Sequence, residues 1–354
     1  MCIDPGRPVR AAALLVPAIL LTGALGCGGS QPRREAEAPA PAASKVLTAA
    51  ERAAWYQECW GHFNSRAWDR FRACYADGVE SEQVGSGHPR AKGFDAMESM
   101  VKTFTSAFPD VRATVELILV KGETILGVDA LTGTHTGPLL GPDGVSVPAT
   151  NKPVGIYQAH LVRTDPAGSR IVKEEFYSDS GSLMAQIGLN PMPARPVATP
   201  AAAAPTVVIA AGTPAELGNI ELLRAQMAAY NSHDAKGVSA FSAPDLVLHD
   251  MGMPADQTAK ESLAGMQAFF SAFPDAKLAP ESIWAAGNYV VATGRLEATN
   301  TGPMPAMGVR KPTGKTVSLR YLDITHWERG KIEEEWLFYD SLAFMGQLGL
   351  VGKK

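Results

Sequence analysis

The sequence lacks the features that mark several large classes of protein. Its net charge is −4 over 354 residues, and it has no basic stripe with interleaved aromatic residues, so we predict no nucleic-acid partner. Cysteine and histidine do not cluster at metal-ligand spacing, so we predict no metal site. A G-x-S-x-G sequence is also absent, which argues against a hydrolase with a serine nucleophile.

The N-terminal segment is typical of an export signal. Two arginines precede an apolar run over residues 11–24, which is too short to span a bilayer as a helix but suits a signal-peptide core. The run ends in LTGALGC, where small residues before Cys27 resemble a bacterial lipobox. This resemblance implies cleavage before Cys27 and lipidation of its thiol; the alternative is a plain secretory signal. We expect an exported lipoprotein anchored in the membrane of a bacterial cell envelope, with a signal peptide over residues 1–27 and a flexible linker over residues 28–45.

Two further cysteines, Cys59 and Cys74, remain after the signal segment. They lie 15 residues apart on what read as two successive helices, so a bridge between them is geometrically feasible in a compartment that permits disulfides. The other interpretation is two buried thiols that behave as small apolar side chains. The sequence leaves both open.

The rest of the chain is a tandem duplication. FYSDSGSLMAQIGL at residues 176–189 returns as LFYDSLAFMGQLGL at residues 337–350. SAFPD also occurs in both halves, and a T-G-P motif follows it at the same distance each time. We therefore predict two domains, at residues 46–190 and 217–354, joined by a Pro/Ala-rich linker over residues 191–216.

The order of elements within each half predicts an α+β fold. Helical spacing of apolar residues over 221–234 and 261–275 is followed by strand patterns over 282–300, 315–328 and 330–340. Helices packed on one side of a curved antiparallel sheet make an α+β domain and leave a pocket between the two layers.

These motifs resemble the SnoaL-like polyketide cyclases, also called ester cyclases, of the nuclear transport factor 2-like superfamily. The resemblance covers residues 46–190 and 217–351 and is carried, in order, by YNSHD, PDLVLHD, FSAFPD, TNTGP, PTGKTV, GKIEEEW and YD…QLGL. It implies two cone-shaped domains, each with a pocket beneath the sheet. It also implies a ring closure without metal or cofactor, in which an acidic residue removes a proton next to a carbonyl and the enolate attacks a second carbonyl.

The resemblance assigns candidate catalytic residues. The family's catalytic aspartate falls on Asp340 in the second domain and on Asp179 in the first. A polar partner on the preceding strand falls on His326 or on Asp323, and His160 stands opposite Asp323 in the first domain.

Strand alternation proposes which side chains line the pocket. Trp336 and Phe338 share a face with Asp340, so they would form an apolar wall that raises the pKa of that carboxyl. Tyr321 and Asp323 share a face of the preceding strand, and only one of these two sets is expected to look inward. Asn300 and His249 match pocket-lining positions of relatives. In the first domain His135 replaces Asn300, and His160, the counterpart of Asp323, is a further candidate.

Asp340 and Asp179 also fit a purely structural role. Each stands where a strand passes into a helix and is followed by serine. Aspartate is a favoured N-cap, which lowers the pKa of the carboxyl, whereas a general base needs a raised one. The sequence leaves cap and base open.

Three functional interpretations follow. The first is a SnoaL-like enzyme that transfers protons on a small carbonyl, polyketide-like compound. The second is a non-catalytic envelope lipoprotein that binds a small apolar ligand. The third is structural, with the sheets of the two domains packed face to face as an internal pseudo-dimer.

Overall fold

The computed structural model describes residues 45–140, 145–305 and 308–351, and these belong to one compact unit. The predicted signal peptide, the lipidation site at Cys27 and nearly all of the first linker lie outside the described residues. Across the described ranges, no helix is long and apolar enough to cross a membrane.

The first domain contains four helices and eight strands among the described residues. In chain order these are α1 (Ala49–Asn64), α2 (Trp68–Ala73), β1 (Tyr75–Gln83), β2 (Ala91–Lys92), α3 (Phe94–Ala107), β3 (Arg112–Lys121), β4 (Thr124–Thr134), β5 (Leu139–Leu140), β6 (Ser146–Val147), β7 (Pro153–Thr164), β8 (Ile171–Ser178) and α4 (Ser180–Gln186).

The linker and the second domain repeat most of this order. Their elements are β9 (Thr206–Ile209), α5 (Pro214–Asn231), α6 (Ala235–Ser239), β10 (Ser242–Asp250), β11 (Gln257–Thr258), α7 (Ala259–Ala272), β12 (Lys277–Ala286), β13 (Tyr289–Thr299), β14 (Thr316–Glu328), β15 (Lys331–Phe338) and α8 (Ser341–Gln347).

Each domain is built on one sheet covered by helices, so the predicted α+β class is confirmed. The strand orders are β2-β1-β8-β7-β4-β3-β9 and β11-β10-β15-β14-β13-β12. Pairing is antiparallel except that β1 lies parallel to β8, β10 to β15 and β9 to β3. Bulges at matching places in β3 and β12 bend the two sheets alike.

The repeated motifs have the same structural task in both domains. The aspartate of SAFPD accepts a hydrogen bond from the backbone of the strand that ends nearby. Asp110 takes the Thr134 amide at 2.7 Å, and Asp275 takes the Thr299 amide at 2.6 Å. This contact ties the end of the helix α3 or α7 to the sheet, which explains the constant spacing between the two sequence motifs.

The linker does more than join the domains. Its strand β9 pairs with β3 and completes the sheet of the first domain. Arg195 donates to the carbonyl oxygens of Asp250 and Met253, and it pairs with the Asp256 carboxylate. The linker is therefore packed against both domains.

The two sheets pack face to face, in the internal pseudo-dimer that the sequence suggested. A single buried cluster joins apolar side chains of both domains, and its members include Leu119, Leu126, Tyr177, Trp284, Leu322, Ile324 and Phe338. Arg320 crosses the interface to Glu82 at 3.1 Å and to Glu175 at 2.9 Å. Each sheet is thus buried on both faces, by its own helices and by the other domain.

Cys59 and Cys74 form a disulfide, which decides between the two interpretations of these residues. The bond ties α1 to the residue just before β1. Both sulfurs lie in the aromatic core of the first domain.

Candidate functional site

The second domain encloses a cavity of about 240 Å³ between its sheet and its helices. One wall comes from α5, α6 and α7, and the other comes from β10, β14 and β15. The lining is largely apolar and includes four methionines, namely Met227, Met253, Met266 and Met304. Because methionine is unbranched and adaptable, such a wall can fit ligands of somewhat different shape.

The first domain fills the equivalent space with aromatic side chains. Asn64 and Asn231 mark matching positions, because each accepts a backbone amide of the neighbouring strand, from Ala113 at 2.9 Å and from Leu278 at 2.8 Å. Counting from these asparagines pairs Tyr56, Trp60, Phe71 and Tyr75 of the first domain with Leu223, Met227, Val238 and Ser242 of the second. The four aromatic residues are buried in the core, while their four smaller counterparts line the cavity.

Three carboxyl groups face the cavity: Asp250, Asp323 and Glu335. In the β14–β15 ladder, Asp323 stands opposite Leu337. Glu335 precedes Leu337 by two residues and so shares its face of the sheet. Asp323 and Glu335 are therefore diagonal neighbours on adjacent strands, within reach of each other's charge.

Burial raises the pKa of all three carboxyl groups. For Asp323 the main cause is loss of water, and the charge of Glu335 adds to it. For Glu335 the causes are burial and then the charge of Asp250. Burial raises the pKa of Asp250 to about 6, against the opposing effect of hydrogen bonds from Tyr339 and from the Gly252 amide. Near neutral pH this cavity therefore holds both protonated and ionised carboxyl groups.

Two polar atoms on the cavity wall have no hydrogen-bond partner in the structure. They are the Tyr321 hydroxyl and the Oδ1 atom of Asp323. Both residues line the cavity, and their exposed fractions are only 5% and 8%. Buried polar groups are almost always paired, so these two atoms are exceptions within the cavity wall.

Asp340, the predicted catalytic base, is placed differently. Its Oδ1 atom accepts the Ala343 amide at 2.7 Å and caps α8. Asp340 does not belong to the residues that line the described cavity, and its catalytic role stays a prediction. Burial and the charge of Asp179 nevertheless raise its pKa, so the carboxyl is capped without being made more acidic.

Asp179 is likewise a cap; it lines a small cavity beside Arg195 and Met251 and does not line the second-domain cavity. It accepts the Ser182 amide at 2.8 Å within α4 and also the Ser341 amide of the second domain at 2.8 Å. The carboxylate therefore joins the N-termini of α4 and α8 across the domain interface.

Trp336 and Phe338 lie away from the described cavity. We predicted that they form the apolar wall of the pocket, but both belong to the cluster between the domains. Both faces of β15 are covered by other parts of the protein, so aromatic residues on one face do not identify the cavity side. The opposite face, with Glu335, Leu337 and Tyr339, looks into the cavity.

The two histidine candidates of the second domain lie outside the cavity lining. His249 stacks on Trp336 and contacts Glu334 and Asp256, each at 3.0 Å. His326 packs against the Tyr289 ring at 4.6 Å and is partly exposed. Both residues project from the sheet face opposite the cavity, because they alternate with cavity-facing neighbours on their strands.

Asn300 and His135 are structural at matching turns. The Asn300 amide donates to the Gly302 carbonyl at 2.8 Å, and its oxygen accepts the Thr313 amide at 2.7 Å. His135 contacts the Thr150 hydroxyl at 3.0 Å. Neither belongs to the lining of the described cavity.

His160 occupies the position of Asp323 within the filled core of the first domain. Its Nδ1 atom lies 2.9 Å from Glu174, and its Nε2 atom lies 3.4 Å from Asp129. Trp60 covers the ring at 4.7 Å between centroids. Burial alone would lower the pKa of His160, but the two carboxylates outweigh it and the pKa is raised. The group is a buried ion network of the core, not part of a pocket comparable with that of the second domain.

Of the candidates named from sequence, Tyr321 and Asp323 line the cavity, and Glu335 and Asp250 were missed. Alternation could have found Glu335, since it shares a face with the residue opposite Asp323. Asp250 directly follows His249 in PDLVLHD, so the two side chains project from opposite faces of the same strand.

Comparison with known proteins finds the same family model in both domains. The family model for SnoaL-like polyketide cyclases matches residues 50–187 and 220–348. None of the curated proteins matches the chain.

Several solved structures are similar to one domain of the chain. AclR from Streptomyces galilaeus is 24% identical, with 39% of this chain and 99% of AclR covered and a TM-score of 0.35. IdmH from Streptomyces antibioticus is 22% identical, with 37% and 98% covered and a TM-score of 0.33. TsrD from Streptomyces laurentii is 21% identical, with 38% and 97% covered and a TM-score of 0.33.

The two matched regions of the family model take up most of the chain, coincide with the two sheets and stop short of the linker between them. The chain therefore belongs to the SnoaL-like polyketide cyclase family, with two copies of the family's domain in tandem.

Proposed function

We propose that the cavity of the second domain catalyses a cofactor-free proton transfer on a small carbonyl compound, of the kind that closes a ring. The observation that carries the proposal is a pair of carboxyl groups, the buried Asp323 and the half-buried Glu335, that lines an apolar cavity. The first domain fills the equivalent space with aromatic side chains. Membership of the cyclase family supports the same reaction class.

The pair supplies an acid and a base together. Two neighbouring carboxyl groups in an apolar wall ionise one after the other, so near neutral pH one is charged while the other keeps its proton. The carboxylate takes a proton from the carbon next to the substrate carbonyl. The protonated partner, or the Tyr321 hydroxyl, donates a hydrogen bond to the enolate oxygen that forms.

Ring closure then needs no further group. The enolate carbon attacks a second carbonyl carbon of the same molecule, and the new C–C bond leaves an alkoxide. The alkoxide takes a proton from the carboxyl group, which restores the starting protonation of the pair. The apolar lining keeps water from protonating the enolate before it attacks.

The test is deuterium exchange at the carbon next to the carbonyl, followed by NMR in D₂O with a panel of aryl ketones and linear diketones. Asp323→Asn and Glu335→Gln should each slow the catalysed exchange by roughly 10²–10⁴-fold, the usual contribution of a positioned acid or base. Glu297→Gln, an exposed carboxyl change on β13, is the matched control. Unchanged exchange in both cavity variants would refute the assignment.

A binding module is the second candidate. It is favoured by the lining of the second-domain cavity, which contains no histidine or lysine among the described residues. If no carbonyl compound exchanges, yet an apolar dye binds once per chain and is excluded by Met227→Trp, the cavity serves binding alone.

We also propose export and lipid anchoring, supported by the apolar run and by LTGALGC ahead of Cys27. Expression in a bacterial host followed by membrane fractionation tests this. The wild-type chain should sediment with membranes, and Cys27→Ala should be released to the soluble envelope fraction. Equal sedimentation of the two would contradict lipidation at Cys27.

A further inference from the structure

The charged side chains that line the second-domain cavity are all acidic. Asp250, Asp323 and Glu335 face it, and no lysine, arginine or histidine is found among the described lining residues. An anionic ligand would therefore meet three carboxyl groups and no compensating cation. A cation would find acceptors, and it would remove the repulsion between the carboxylates.

Unpaired atoms within this wall point to a ligand that donates hydrogen bonds. The Oδ1 atom of Asp323 lacks a partner although the residue is 8% exposed, and the Tyr321 hydroxyl lacks one at 5%. Where Asp323 is ionised its carboxylate only accepts hydrogen bonds, so a ligand group that pairs with it must carry N–H or O–H. The two side chains stand on one face of β14, two residues apart, and both residues line the cavity.

Aromatic rings complete the surroundings of that ligand group. Tyr230, Tyr321, Tyr339 and Phe269 all line the cavity. Ring faces attract cations, and the attraction grows where water is excluded. Carboxylates and ring faces in an apolar enclosure together suit an organic ammonium better than a neutral hydroxyl.

We propose that this cavity takes a small apolar molecule that carries a protonated amine, with the ammonium group at Asp323, Glu335 and the Tyr321 ring. The inference deepens the proposed function by naming the charge class of its substrate. It rests on that function only through the shared cavity, since it concerns binding and not the reaction.

Proton release should accompany binding. An ammonium stabilises the ionised form of the carboxyl groups, so its arrival drives a proton from the cavity into the buffer. Asp323 and Glu335 face each other, and Tyr321 adjoins Asp323. Asp250 is influenced by Glu335, Tyr339, Asp179 and the guanidinium of Arg195, which lies outside the described cavity lining.

The experiment is isothermal titration calorimetry of the whole chain at pH 6 with 2-phenylethylamine, 2-phenylethanol and phenylacetate. The amine should bind at least about tenfold more tightly than the alcohol, and phenylacetate should not bind. Titration in two buffers of different ionisation enthalpy should show proton release for the amine alone. The proposal is overturned if the alcohol or the acid binds as tightly as the amine, or if none of the three binds.

Variants assign the preference to the carboxyl pair. Asp323→Asn should lower the amine affinity by about tenfold while leaving the alcohol affinity unchanged, and Glu335→Gln gives a second measurement should the first variant misfold. Glu297→Gln should keep the wild-type preference. Equal loss of amine and alcohol binding in well-folded variants, checked by circular dichroism, would overturn the proposal. The exchange assay is a separate measurement. An amine that binds without turnover would contradict the proposed reaction and not this inference about binding.

Discussion

Asp250→Asn is expected to stabilise the protein at high pH and not at low pH. The Asp250 side chain lines the apolar cavity, accepts the Gly252 amide at 3.0 Å and has its pKa raised to about 6 by burial. Asparagine keeps the shape and one accepting oxygen but never ionises. The substitution therefore isolates the cost of placing a charge in the cavity.

The magnitude follows from the raised pKa. A change from 3.8 to about 6 is roughly two pH units, and each unit corresponds to about 1.4 kcal/mol. Well below pH 3.8 the carboxyl is protonated in the folded and the unfolded chain, so wild type and variant differ little. As the pH rises from 3.8 to about 6 the unfolded chain ionises before the folded one, and the wild type should lose up to about 3 kcal/mol of unfolding free energy relative to the variant.

Urea unfolding at pH 4 and at pH 8 measures this difference. Asp245→Asn, an exposed carboxyl change on the same strand, is the control and should follow the wild-type pH profile. If the difference between Asp250→Asn and wild type is the same at both pH values, Asp250 is not held in an apolar site and the assignment of the cavity wall fails.

The remaining predictions concern the disulfide, the domain interface, the helix cap at Asp340 and the cavity wall. Replacing Cys59 and Cys74 by serine should lower the unfolding free energy by about 3 kcal/mol, as expected for a 15-residue loop, with dithiothreitol giving the same loss in the wild type. Phe338→Ala, within the domain interface, should cost about 3–5 kcal/mol in urea unfolding. Asp340→Ala should cost about 1 kcal/mol as a lost cap while ketone exchange continues at the wild-type rate; a large loss of exchange would restore its catalytic role. Met227→Trp, which copies Trp60, should fold and abolish dye binding; retained binding would contradict the filled-domain comparison.

The sequence determined the architecture. The repeated SAFPD and T-G-P motifs predicted two equivalent domains, and Asp110 and Asp275 show why the spacing is fixed, since each closes the same contact between helix and sheet. Helical and strand periodicities were enough for the α+β class, because these patterns depend on which residues are buried and not on what buries them.

Only the tertiary structure decided where the site lies. Both faces of β15 are covered, one by helices and one by the other domain, so the alternation that pairs Trp336 with Asp340 could not say which face meets the cavity. The choice between cap and base at Asp340 depended on the direction of one side chain at a helix N-terminus.

The cavity itself was likewise a matter of packing. Trp60 and Met227 are both ordinary apolar residues in a helical pattern, and the difference between them matters only because facing side chains fill the space in one domain and leave it open in the other. Periodicity tells which residues are buried along one chain segment, whereas a cavity depends on the summed volume of side chains from many segments, which no single stretch of sequence contains.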